Sequence, residues 1–218
     1  MAGLGIGPED FAIFDIGDPD DRADAIDAVL GPKLRSMGEQ LGSGLSRVTA
    51  APLQVQLVKA QRRKGVPPPE ALVAFCASDK GWQKAPYLAI GASREHLHAR
   101  VGAKPAADRD GALRRALERE AANLAKKGKP FRKLRPFMDW DGEELPEIAP
   151  AHLAAFWQEL ADELQPARPG VDVGVTWSAE EARSLAIGDV LGVFRDLAPL
   201  FKLLAHAGDA AARVGPPV

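Results

Sequence analysis

The chain has 218 residues, enough to bury a sizeable core in one domain or in two small ones. With 46% hydrophobic and 27% charged residues and a formal net charge of −2, it has the composition of an ordinary soluble globular protein. Such a balance creates no overall field toward nucleic acid or anionic lipid. A single cysteine excludes an internal disulfide and fits a reducing compartment. The start, MAGLGIGPEDFAIFD, lacks the basic region and long apolar run of a signal peptide, and no apolar run approaches the roughly 20 residues of a membrane span. These features predict a cytoplasmic protein with no membrane role.

Met1–Gly7 is small and glycine-rich and is expected to be loose. Pro8-Glu9-Asp10-Phe11 reads as a first helical turn, with Phe11, Phe14 and Ile16 as anchors to the core. The turn Gly17-Asp18-Pro19 follows, with Asp20 or Asp21 as the expected N-cap. Ile26, Leu30, Leu34, Met37, Leu41, Leu45 and Val48 then recur every three or four residues, the stripe of a long amphipathic helix. Gly31-Pro32 interrupts it without shifting its phase, which predicts a kink or two helices nearly in line. Leu53–Lys59 alternates as a strand, a short helix being the alternative.

The central stretch, Ala71–Val101, reads as three consecutive antiparallel strands, Ala71–Ala77, Pro86–Gly91 and His96–Val101, separated by turn formers. After the loop Gly102–Ala107, Asp108 caps a helix to about Lys127, with Leu113, Leu117, Ala121 and Leu124 inward. Lys129–Pro150 is the longest irregular segment, with one short strand expected near Pro136–Trp140. Pro150 opens a helix with Leu153, Phe156, Trp157, Leu160 and Leu164 inward, and Val171–Trp177 alternates as a strand. Ser178 and Glu181 form a capping-box pattern. The last helix buries Val190, Phe194, Leu197, Phe201 and Leu204 and is kinked by Pro199. No internal repeat is present. The pattern predicts an antiparallel meander as the platform on which the helices pack, with flexible termini at 1–7 and 209–218.

The stretch RRKGVPPPEALVAFCASDKGWQKAPYLAIG resembles the YktB family, a set of uncharacterised bacterial proteins. The resemblance rests on Arg62-Arg63, Pro67-Pro68, Val73-Ala74-Phe75, Ser78, Gly81-Trp82, Lys84, Pro86 and Ile90-Gly91. DFAIFDI near the start, Pro32-Lys33-Leu34, Gly38, and the closing Leu197, Leu200 and Lys202-Leu203 agree in order. It implies a single YktB-like α+β domain over residues 8–208, a mostly antiparallel sheet with helices packed against it, and brings almost no chemistry. The third strand, HLHARV, departs from relatives that are richer in aromatics there, and Lys129–Pro150 shows little of the family pattern.

The strongest functional signal is the set Arg62, Arg63, Lys80, Trp82 and Lys84, next to glycines and prolines. If the fold brings them together, guanidinium forks, ammonium groups and an indole face suit a phosphate-bearing ligand. The plainer reading gives the arginines structural ion pairs and leaves Trp82 covering the core edge. Lys126, Lys127, Lys129, Arg132, Lys133 and Arg135, interleaved with Phe131 and Phe137, form a weaker nucleic-acid signature. The plain alternatives for that tract are a solvated loop, or a partner for the acidic Glu9–Asp27 segment.

His96 and His98 share a strand face, as two metal ligands would, but no spacing supplies a third and both facing water is the plainer reading. Cys76 shares a face with Leu72 and Ala74 and reads as a small buried hydrophobe. Asp139, Asp141, Glu143 and Glu144 are carboxylates suited to a hard cation but common on loops. No P-loop, dinucleotide fingerprint, G-x-S-x-G or HExxH motif is present, so no cofactor or metal is expected. The sequence therefore predicts a cytosolic binding protein for an anionic, phosphate-bearing ligand, a nucleotide or nucleic acid. The alternative is an enzyme whose acids and bases come from distant segments. Oligomeric state has no signature in the chain.

Overall fold

The computed structural model describes residues 3–60, 65–79, 81–108, 110–126, 132–133, 153–166, 168 and 170–214. Its helices are α1 (Pro8–Phe11), α2 (Pro19–Ala25), α3 (Gly31–Thr49), α4 (Ala112–Lys126), α5 (Ala154–Asp162), α6 (Ala179–Ser184) and α7 (Ile187–Val214). The strands are β1 (Gln54–Val58), β2 (Glu70–Cys76), β3 (Tyr87–Ser93), β4 (His96–Ala103), β5 (Arg132–Lys133) and β6 (Val171–Ser178). They form one sheet in the order β1-β2-β3-β4-β6-β5. Every neighbouring pair is antiparallel.

The three-stranded meander lies at the centre of the sheet, as its apolar runs and turn formers predict. β3 runs two residues beyond Gly91, because Ala92 and Ser93 continue the ladder opposite Ala71 and Glu70. Strand alternation gives the sheet two different faces. Ala71, Val73 and Phe75 of β2, Leu88 and Ile90 of β3, Leu97, Ala99 and Val101 of β4, and Val171 and Val173 of β6 join the main core. Against them pack Leu34, Met37, Leu41 and Leu45 of α3 and Val190, Phe194, Leu197, Phe201 and Leu204 of α7. α3 lies over β1 and β2, α7 over β3 and β4, α4 beside α7, and α5 beside α4. A single α+β domain results.

The apolar stripe from Ile26 onward stays in phase as predicted. Ile26–Leu30 widen into a π-turn that runs directly into α3, and Pro32 comes just after it, so the helical run passes the missing N–H by widening rather than by ending. Three local expectations change. Asp18, not Asp20 or Asp21, caps α2: its carboxylate accepts from the N–H groups of Asp20 and Asp21 at 2.9 and 3.0 Å, and Pro19 takes the first helical position. Residues 3–7 are tied down rather than loose, since Leu4 and Ile6 are buried and the N–H of Leu4 donates to the carbonyl of Leu185 at 3.1 Å. Leu153 precedes α5 with extended backbone and is exposed, so it does not belong to that helix's inner face. The strand expected near Pro136–Trp140 lies outside the described residues.

Candidate functional site

The second face of the sheet carries the polar residues of the same alternating strands. Glu70 of β2, Tyr87 of β3, His98 and Arg100 of β4 and Asp172 of β6 are all buried there. Cross-strand register explains how such large groups fit. Tyr87 stands opposite Gly102, which stands opposite Asp172. Gly91 stands opposite His98, and Gly174 opposite Arg100. A Cβ on Gly102 would come within 2.5 Å of both the Tyr87 ring and an Asp172 carboxylate oxygen. One on Gly91 would come within 2.8 Å of the His98 ring. The missing side chains are the space that the polar ones occupy.

Arg100 is the hub. Its Nη1 and Nη2 donate to the two carboxylate oxygens of Glu70 at 3.1 and 2.7 Å, a bidentate pair. Its Nε lies 3.2 Å from Asp172 Oδ1. His98 Nε2 lies 3.0 Å from Glu70 Oε2. Asp172 also accepts from the Tyr87 hydroxyl at 2.5 Å and from Lys104 Nζ at 2.6 Å. Lys104, with a side chain 15% exposed, is the member of this network that reaches solvent.

The charges shape the acidities. Burial pushes the Asp172 carboxyl up, but Lys104 and Arg100 beside it outweigh burial and hold it below the ordinary carboxylate value. Burial, followed by the neighbouring Asp172 charge, drives the Tyr87 phenol well above its ordinary value. Burial opposes the Arg100 charge, and Glu70 and Asp172 overcome it, raising its pKa. The network is therefore a closed, charge-compensated cluster. It holds four strands together and offers a ligand little access.

An open concavity lies elsewhere, between the end of α3 and the middle of α7. It has a volume of about 490 Å³ and is lined by Arg47 and Val48 from α3 and by Arg195, Ala198, Pro199 and Lys202 from α7. Among the described residues, no carboxylate lines this groove. Arg47 and Arg195 are exposed and Lys202 is half-buried. On α7, the spacing of 195, 198, 199 and 202 places all four on one helix face. Three cations thus line one cleft whose described lining supplies no countercharge.

A family model described as "Domain of unknown function (DUF1054)" matches residues 7–200. The chain belongs to the DUF1054 family. Among curated relatives, this DUF1054 chain is 32% identical over 89 residues to a UPF0637 protein of Oceanobacillus iheyensis, covering 41% of the chain and 43% of that relative. It is 34% identical over 93 residues to a UPF0637 protein of Bacillus cytotoxicus, covering 43% and 45%. It is 32% identical over 97 residues to one from Bacillus licheniformis, covering 44% and 46%. These matches span less than half the length of each curated relative.

Of the cations singled out in the sequence, Arg62, Arg63 and Lys80 lie outside the described residues. Trp82 is half-buried, its backbone N–H donates to the Gln56 side-chain carbonyl at 3.2 Å, and its ring meets Tyr87 edge-on at 4.9 Å. Lys84 is exposed on the same short turn. In the second basic tract, Lys126 ends α4 and is exposed, while Arg132 and Lys133 pair with Gly174 and Val173 at the far sheet edge. Lys127, Lys129 and Arg135 lie outside the described residues, as do Asp139, Asp141, Glu143 and Glu144. The acidic start finds other partners: Asp10 meets Lys33 at 2.7 Å, Asp15 meets Arg94 at 2.9 Å, and Glu9 meets Arg183 at 3.7 Å.

His96 and His98 do share a face, but that face is not water, since His98 is fully buried against Glu70. No group of three or more metal-ligating side chains occurs among the described residues. Cys76 is buried with Leu72, Ala74, Tyr87 and Ala89, and burial raises its thiol pKa. No helix among the described residues is long and apolar enough to cross a membrane. Sequence reading passed over Glu70, Arg100 and Asp172, whose signal was a polar residue alternating with apolar ones opposite a glycine or serine. It also passed over Arg47 and Arg195, which carry no local signal because they lie far apart in the chain.

Proposed function

We propose that this protein is a cytosolic binding protein for an anionic, phosphate-bearing small molecule, a nucleotide or a compound of similar size. The observation that carries this reading is the groove between α3 and α7, where Arg47, Arg195 and Lys202 line one concavity with no carboxylate among its described lining. Arginine presents a planar fork that matches phosphate oxygens, and lysine adds a mobile point charge. The groove's volume falls within the roughly 300–1,000 Å³ of small-molecule sites, which favours a nucleotide-sized ligand over a nucleic-acid strand. The buried network supports the same choice by contrast, since its cations are already engaged by Glu70 and Asp172. An enzyme assembled from distant segments would need such titratable groups open to a substrate.

Arg62, Arg63, Lys80, Trp82 and Lys84 are a second proposed set of contacts for the same class of ligand, supported by the exposure of Lys84 next to Trp82 on one short turn. A thermal-shift screen over nucleotides, phosphosugars, oligonucleotides and divalent metals tests the reading. A ligand at 100 times its Kd stabilises the native state by about 2.7 kcal/mol, roughly 5–10 °C in a chain of this size. Nucleotides or phosphosugars are expected to produce such a shift in the wild type and a much smaller one in Arg195→Ala. Failure of every phosphate-bearing compound to move the melting temperature would overturn the reading.

A further inference from the structure

Pro199 lies inside α7. Proline has no N–H, so the carbonyl four residues earlier, that of Arg195, loses its helical donor, and the ring displaces that carbonyl from its usual line. Buried Phe194, Leu197, Leu200 and Phe201 hold the helix in place on either side of Pro199, and α7 runs through it without ending. Pro199 and Arg195 both line the groove. The cleft is therefore lined by three cationic side chains and by the proline that denies the Arg195 carbonyl its i+4 donor.

We propose that the groove takes a phosphate monoester bearing a hydroxyl group near its phosphate. Arg195, Lys202 and Arg47 hold the phosphate oxygens, and the ligand's hydroxyl donates to the Arg195 carbonyl. This rests on the anion-binding reading above and adds a requirement that charge alone does not impose. Soluble sugar phosphates and phosphorylated inositol headgroups of lipids share this chemistry. The concave shape favours the soluble ester.

Isothermal titration of the full chain with inorganic phosphate, methyl phosphate and glycerol 3-phosphate tests the proposal, alongside vesicles displaying a phosphorylated inositol headgroup. The wild type is expected to bind glycerol 3-phosphate about tenfold tighter than methyl phosphate, the worth of one added hydrogen bond. Pro199→Ala restores an N–H for the Arg195 carbonyl, so it should reduce that ratio to near one, whatever it does to the affinity for methyl phosphate itself. Arg195→Ala should weaken all three anions, with an unchanged melting temperature showing that the fold is intact. Tighter binding to the vesicles, lost in Pro199→Ala, identifies a lipid as the source of the same headgroup chemistry and supports the site. Equal affinity for both esters in the wild type, or a ratio unmoved by Pro199→Ala, overturns this inference and leaves anion binding standing. No binding of any phosphate overturns both.

Discussion

Tyr87 donates its hydroxyl hydrogen to Asp172 from 2.5 Å across 85 residues of chain, over a glycine that separates them in the sheet. The three residues Tyr87, Gly102 and Asp172 form one row across β3, β4 and β6, so the bond exists because Gly102 has no side chain. Gly102→Ala places a methyl within 2.5 Å of both partners and is expected to destabilise the protein by about 3 kcal/mol. Gly192→Ala is the control. It meets nothing within 4 Å in the interior of α7 and should stabilise by about 0.5–1 kcal/mol. Urea unfolding of the two variants measures both signs.

Arg100 pairs with Glu70 and Asp172 at the same time, and all three side chains are at most 3% exposed. Arg100→Met strips Glu70 of its bidentate partner and leaves Asp172 with Lys104 alone. A loss of about 3–5 kcal/mol is expected, as for other buried pairs broken on one side. A triple replacement, Arg100→Met with Glu70→Gln and Asp172→Asn, should recover much of that loss, because the orphaned charges go with it. Chemical denaturation distinguishes the two results, and equal instability of both variants would contradict the account of the network.

The same network sets two limits on pH stability. Asp172 is more acidic in the fold than unfolded, so the unfolded chain binds its proton first and stability falls as pH drops below about 4. Tyr87 is less acidic in the fold, so its contribution is complete below about pH 10 and is lost as pH rises above that value. Tyr87→Phe should flatten the alkaline limb of a stability–pH profile, and Asp172→Asn the acid limb. Unchanged limbs in both variants would show that other groups control the profile.

Cys76 lies fully buried on the network face with a raised thiol pKa, two features that suppress thiolate chemistry. Its reaction with a thiol reagent in native buffer should therefore be slow and should follow the opening of the sheet, accelerating in Gly102→Ala. Rapid modification of the native wild type would contradict the burial.

Much of the fold was legible in the sequence because alternation and helical periodicity are local. Ala71, Val73 and Phe75 mark a strand without knowledge of its neighbours, and Leu34 to Leu45 mark a helix face. The caps were legible only in part. Ser178 and Glu181 carry an explicit pattern, whereas Asp18 competed with two adjacent aspartates and prevailed because Pro19 takes the first helical position. The network was illegible because alternation assigns Glu70, His98, Arg100 and Asp172 to one side of the sheet without saying whether that side is wet. Only register reveals that Gly91, Gly102 and Gly174 face them. The groove depends on α3 and α7 meeting, which no short stretch of sequence encodes.

The most direct test of the central claim is a backbone-amide NMR titration of the wild type with inorganic phosphate. Saturable shifts are expected to concentrate at Arg47, Val48, Arg195, Ala198 and Lys202, to shrink with added salt and to need much more phosphate in Arg195→Ala. Shifts confined to other surfaces, such as Trp82–Lys84, or no saturable shift at all, would contradict that claim.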